Sequence, residues 1–283
     1  MDFPTPIVYG SNSQMTENNI IRTLQHSIDF RPLRPEMQSA LETLHLSKNQ
    51  PSDQAGSRKE AEELIKRFLN ELTEADGFLF SIRPGPYDLP QSLQNSGRVS
   101  HCVQGLAIEY AERLHNVTVR EHFLTKLFAF ASFRSAKHKG TIQDLAGFHS
   151  QYKLLLMAYN QSQMRVMGKI VAHHTKADLQ ELFTNYETHL THALTDAPRP
   201  QAIVNVLQHA FGGFSKKYLS PEEKRSFLEG LEDYRAGRIP LSAILSKLRA
   251  WALQYRNTYI LTQRFMNPYP KELREISQPG QGC

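Results

Sequence analysis

Asn205-Val-Leu-Gln-His-Ala-Phe-Gly-Gly-Phe-Ser-Lys-Lys-Tyr218, then Leu219-Ser-Pro-Glu-Glu-Lys224 and Tyr234-Arg-Ala-Gly-Arg-Ile-Pro-Leu241, sets the fold class of the C-terminal half. Ser220-Pro221-Glu222-Glu223 places a hydroxyl cap before a proline at the first helical position and acids in the first turn, the signature of a helix start. The break at Gly237-Arg-Ile ends that helix, and Pro240 opens the next. Upstream, Thr141 with Asp144 is another start, while Ala158-Tyr-Asn-Gln161 and Pro198-Arg-Pro200 read as punctuation between helices. From about Val103 to Phe265 helical patterns follow one another, and no strand is expected there.

The N-terminal half reads differently. Pro6-Ile-Val-Tyr-Gly10 and Phe78-Leu-Phe-Ser-Ile82 are short apolar runs beside glycine, the pattern of buried strands. Between them Ser57-Arg-Lys-Glu60 is a capping box, and Leu64, Ile65, Phe68, Leu69 and Leu72 form the apolar stripe of a helix. Strand, helix, strand implies parallel pairing, so the fold class is α+β: a small α/β domain over 1–135, an all-helical domain over 136–275 and a disordered tail over 276–283.

The chain has 283 residues, 33 Lys+Arg and 28 Asp+Glu. Between Arg199 and Arg274 there are 13 Lys+Arg against 6 Asp+Glu, a local charge of +7 that leaves −2 for the rest of a chain whose total is +5. Cationic charge so concentrated suits a polyanionic partner. Cys102 and Cys283 are the only cysteines, too few for a disulfide framework or a thiolate metal cage. With no leader-like N-terminus and no long apolar run, a cytoplasmic protein without a membrane span is expected.

The motifs quoted above, with Pro268-Tyr-Pro-Lys-Glu-Leu273, occur in order with the spacing of the YbgA-like domain of bacteria, which they resemble across residues 140 to 275. That helical module is found alone or behind a thiouracil/4-thiouridine desulfidase domain, and the resemblance implies a tRNA-facing role. Arg34-Pro35-Glu36, Arg120-Glu-His-Phe123, Leu127-Phe-Ala-Phe130, Leu145-Ala-Gly-Phe-His149 and the Lys153 to Ala158 run similarly resemble the desulfidase domain and its junction. The family holds a four-iron four-sulfur cluster on three cysteines. Here those positions fall near Ser11 or Asn12, on Arg34 and near Pro86. None offers the soft thiolate that iron requires, so no cluster is expected. Glu36 matches the family's functional glutamate; without the cluster it is a vestigial candidate, equally suited to turning the chain and capping a helix. Cys102 beside His101 is weak as a nucleophile, and catalysis is not expected.

Twelve histidines invite a metal reading, chiefly His173-His174 and the His189 and His192 pair, but no established zinc spacing accompanies them, and no metal is expected. His149 and His209 lie in the family-like segments and suit base stacking or phosphate donation as well as packing. Gly212-Gly213 either lets backbone approach a partner or ends a helix; Lys216 and Lys217 can neutralise phosphates, and Tyr218 can stack on a base. Ile244, Leu248, Trp251, Ala252, Tyr255 and Tyr259 recur as a core stripe, with Arg249, Arg256 and Gln263 as a separate polar one. The nucleic-acid-binding set is therefore His209, Lys216, Lys217, Tyr218, Arg235, Arg238, Arg249 and Arg256, forming one basic surface for RNA, in particular tRNA. The competing readings are residual desulfidase-type or nucleotide chemistry at Glu36 and a scaffold that presents apolar grooves to another polypeptide.

Overall fold

The computed structural model describes residues 2–10, 19–37, 39–40, 60, 63–64, 67, 74–80, 106–173 and 178–275; the side chains of residues 19, 80, 214, 216 and 275 lie outside that description. The chain divides into two compact units, one of Asp2–Ser135 with Tyr269–Cys283 and one of Ala136–Pro268.

The first unit is built on a parallel sheet. β1 (Ile7–Gly10) lies between β2 (Asp29–Pro32) and β3 (Gly77–Phe80), and β4 (Ala107–Tyr110) pairs with β3, in the order β2-β1-β3-β4. Helix α1 (Asn19–Leu24) sits within the crossover from β1 to β2. Val8, Leu79 and Ala107 are almost wholly buried, as expected for parallel strands that are covered on both faces. Gly77 is obligatory: a Cβ there would stand 2.6 Å from the Ala107 carbonyl oxygen.

Both central strands fall where the apolar runs predict them, but two further strands correct the sequence reading. β2 is a polar, half-exposed strand carrying the Asp29–Arg31 ion pair; the backbone places it, through Asp29 N–H to Pro6 O (2.8 Å) and Leu33 N–H to Gly10 O (2.9 Å). β4, Ala-Ile-Glu-Tyr, is too short for periodicity to separate from helix, and it lies inside the stretch read as strand-free. Ser57 of the expected capping box, and Ile65, Phe68, Leu69 and Leu72 of the expected stripe, lie outside the described residues; Leu64 is exposed.

Asp76 ties this unit together. Its carboxylate accepts Ile7 N–H (2.9 Å) and binds Arg134 of α2 (Val117–Lys139) through both oxygens, at 3.0 and 2.8 Å. Burial pushes its pKa up against the pull of Arg134. Arg120, in the family-like motif, is buried and donates to the Leu114 and His115 carbonyls that close a 3₁₀ turn over Ala111–His115.

In the second unit, α3 (Ile142–Ala172) starts on Thr141, whose side chain accepts Asp144 N–H, as predicted. It is broken at Asn160 (φ −155°, ψ 97°), whose side chain accepts Gln163 N–H (3.1 Å) and so caps the limb that follows. The helices α4 (Leu179–Ala193), α5 (Pro200–Tyr218), α6 (Pro221–Arg235), α7 (Leu241–Gln254) and α8 (Thr258–Thr262) follow. A short α9 (Glu272–Glu275) belongs to the first unit. The Ser220–Glu223 capping box, Pro200 in the first turn of α5 and the Pro240 start are all present.

Phe211, Phe227 and Trp251 form the aromatic centre, with Phe211 stacked on Phe227 at 4.4 Å. Ile244, Leu248, Trp251 and Ala252 are buried as their spacing predicts. Tyr255 is only half-buried and Tyr259 is exposed, because α7 ends at Gln254 and Arg256 takes a left-handed φ of 52°, which breaks the stripe. Gln263 is wholly buried rather than on a polar stripe. Its carboxamide accepts Leu154 N–H (3.1 Å) and donates to Ser150 O (2.9 Å), the same two groups that a continuous helix joins to each other. Gly212 and Gly213 stand inside α5 with open space where a Cβ would be, so they neither end a helix nor accommodate a neighbouring group.

Candidate functional site: a basic groove in the helical unit

The break at Asn160 folds α3 back on itself. In a straight helix His149 and Gly168 would lie about 28 Å apart at 1.5 Å per residue. Here a Cβ on Gly168 would stand 3.3 Å from His149 Nε2. The two limbs and α5 enclose a groove of about 1020 Å³ lined by His149, Lys153, Arg165, Lys169, His173 and His209, with Met157, Met164, Ala202 and Val206 among its apolar members. Among the described residues no Asp or Glu lines it.

Lys153, Arg165, Lys169 and His209 are exposed, whereas Met164 and Val206 are buried. Lys153 lies four residues after His149, and Lys169 four after Arg165, so each limb turns one pair toward the same space. None of these three cations pairs with an acid among the described residues. Uncancelled charge of one sign in a concave site focuses the field on an anion.

His149 lies at the inner end. Its Nδ1 is 2.9 Å from the hydroxyl of Tyr186, a wholly buried residue of α4 whose phenol has its pKa held well above the ordinary value by burial. Burial, with Lys153 nearby, lowers the imidazole from the ordinary 6.5 to about 4, so the ring is neutral near pH 7. The other histidines considered for metal are engaged otherwise: His173 Nδ1–H donates to Lys169 O and His189 Nδ1–H to Gln163 Oε1. His174 lies outside the described residues, and among those described no three His, Cys, Asp or Glu side chains group to hold a metal.

Of the residues expected to bind nucleic acid, His209 enters this groove, and among those whose side chains are described the others do not. Tyr218 stacks on Tyr255 (4.6 Å), Tyr255 O–H donates to the Tyr218 carbonyl, and Lys217 lies 5.0 Å over the Tyr218 ring, next in space to the segment carrying Arg256. The side chain of Lys216 lies outside the described residues. Arg235 pairs with Glu232, and Arg238 with Asp233 at 2.6 Å, so their charges are met by acids; Arg249 bonds Asn267 (3.2 Å). Two members of the expected surface, Arg235 and Arg238, thus already face acids. Sequence reasoning missed Arg165 and Lys169, whose signal was the repeated four-residue spacing on either side of the Asn160 break.

In the first unit Glu36 is exposed in the helical segment that begins at Pro35, just after β2. Arg34, at one of the positions where the resemblance places a cluster cysteine, is also exposed, and a guanidinium is no ligand for iron. The other two family positions, near Ser11 or Asn12 and near Pro86, and Cys102 and Cys283, lie outside the described residues. Among the described residues no helix is long and apolar enough to cross a membrane.

Residues 153–270 match the model of a family described as "Protein of unknown function (DUF1722)". A relative, "Uncharacterized protein YbgA" of Escherichia coli (strain K12), is 27% identical over 150 residues, covering 52% of this chain and 88% of its own length. No solved structure matches the chain. Every groove residue named above except His149 falls inside the matched span. Over most of its C-terminal half the chain is therefore similar to YbgA and to this family of unknown function.

Proposed function

We propose that the helical unit binds structured RNA, with tRNA the class that the resemblance implies, by seating phosphates on Lys153, Arg165 and Lys169. The observation that carries this reading is the groove itself: cations from both limbs of α3, His209 from α5, and, among the described residues, no acid in the lining. Lys217, Tyr218 and Arg256 supply a second contact, in which the exposed tyrosine stacks on a base and the cations meet backbone. Helical RNA offers phosphates and 2′-hydroxyls more readily than base edges, so recognition is by shape and charge. The first unit is read as a degenerate, cluster-free relative of the desulfidase domain, non-catalytic and cytoplasmic. The guanidinium of Arg34 at one ligand position supports that reading.

The test is titration of the whole chain with tRNA at several salt concentrations. Five engaged phosphates, three in the groove and two at the second contact, give a slope of log K against log salt of about −3.5 to −4.5, at about 0.7 to 0.9 per phosphate. Reversing Lys153, Arg165 and Lys169 to Glu removes binding. Reversing Arg235 and Arg238, which already face acids, changes it little. No binding at low salt overturns the reading.

A further inference from the structure

The inner end of the groove differs chemically from its mouth. Its exposed members include Lys153, Arg165 and Lys169, whereas its buried and half-buried ones are mostly apolar, Met157, Met164, Ala202 and Val206 among them, with the His149 imidazole and the Tyr159 hydroxyl as polar groups. Burial keeps the Tyr186 phenol protonated, and we take its hydrogen to point at His149 Nδ1, 2.9 Å away. A neutral imidazole that accepts at Nδ1 carries its own hydrogen on Nε2. That nitrogen is the one lying against Gly168, where the missing side chain leaves it uncovered. The groove thus ends in a fixed N–H donor set among polarisable, apolar walls.

A phosphate oxygen would pair better with an imidazolium, and the same surroundings that place Lys153 near the ring also oppose that charge. An uncharged acceptor on a flat apolar body is the better match. From the geometry we infer that the inner end receives one unstacked nucleobase of the bound RNA. A base carbonyl oxygen accepts from His149 Nε2–H, the ring lies against Met157 and Met164, and Lys153, Arg165 and Lys169 hold the flanking phosphates. This inference rests on the RNA-binding reading above and gives it a chemical specificity. Tyr186 acts here as a positioning residue, since it touches His149 and fixes the tautomer.

The experiment compares oligouridylate with the same oligomer carrying abasic sites, on the wild-type chain and on Gly168→Ala. Alanine favours helix over glycine, so the variant folds, while its methyl group covers Nε2. Base removal weakens binding to the wild type about tenfold, the strength usual for one seated base. Gly168→Ala weakens binding of the intact oligomer by a similar factor, leaves the abasic oligomer unaffected, and keeps the salt slope. Equal affinity for both oligomers on the wild type, with salt-dependent binding retained, overturns the base pocket and leaves the RNA reading standing. If neither oligomer nor tRNA binds at low salt, both readings fall.

Discussion

Acidification isolates the energetic cost of burying His149. In the folded chain its imidazole titrates at about 4, whereas in the unfolded chain it returns to the ordinary 6.5. A group with a lowered folded value adds stability that is fully present above the unfolded value and is lost as pH falls toward the folded one, because only the unfolded chain takes up the proton. The window is therefore pH 6.5 down to about 4. At about 1.4 kcal/mol per pH unit, the loss across it approaches about 3 kcal/mol. Trp251, the sole tryptophan, is buried in the helical unit and reports on it directly. Urea unfolding followed by its fluorescence, on the wild type and on His149→Gln, separates this term from carboxylates common to both. Glutamine can still accept from Tyr186, so the variant loses little near neutrality; the stability difference then shifts in its favour by about 3 kcal/mol as pH falls to about 4. Parallel curves, with a difference independent of pH, refute the assignment of a buried neutral imidazole.

Gly77→Ala lowers stability by about 1–3 kcal/mol in thermal or denaturant unfolding, because the Ala107 carbonyl stands where the methyl would go. Asp76→Ala costs about 3–5 kcal/mol by leaving Arg134 half-buried without its partner and the Ile7 N–H unpaired; a loss below about 1 kcal/mol would show that the pair is incidental. By contrast, Gly212→Ala with Gly213→Ala raises the melting temperature, each contributing about 0.5–1 kcal/mol, since both positions are helical and open. Any fall in melting temperature counts against the helical assignment there.

What could be read from the sequence was local chemistry. Thr141, Asn160, Ser220, Pro200 and Pro240 act on backbone within a few residues of themselves, and each marks a helix boundary in the structure. β2 and β4 escaped because their identity comes from the strands beside them: Asp29-Phe-Arg-Pro has no strand pattern until Ile7–Gly10 supplies the ladder. The groove escaped for a related reason. The Asn160 break is visible in the sequence, but the angle at which the limbs return is set by packing, and only that return brings Arg165 and Lys169 beside Lys153 and His149. Counting charge by segment pointed instead to residues 199–274, where Glu232 and Asp233 consume two of the arginines. Gln263 shows the limit of periodicity: a helix-spaced amide was read as surface, yet it is buried against Ser150 and Leu154, more than a hundred residues earlier.

The return of the chain after Pro268 orders the protein's assembly in time. Tyr269 and Leu273 are buried in the unit whose other residues end at Ser135. During synthesis the helical unit is complete before those residues emerge from the ribosome, so it can close first, while the sheet unit waits for its final segment. A nascent chain cut short before Tyr269 and extended by a linker that fills the ribosome's exit tunnel should therefore display protease-resistant helices attached to an N-terminal region that is still readily cut.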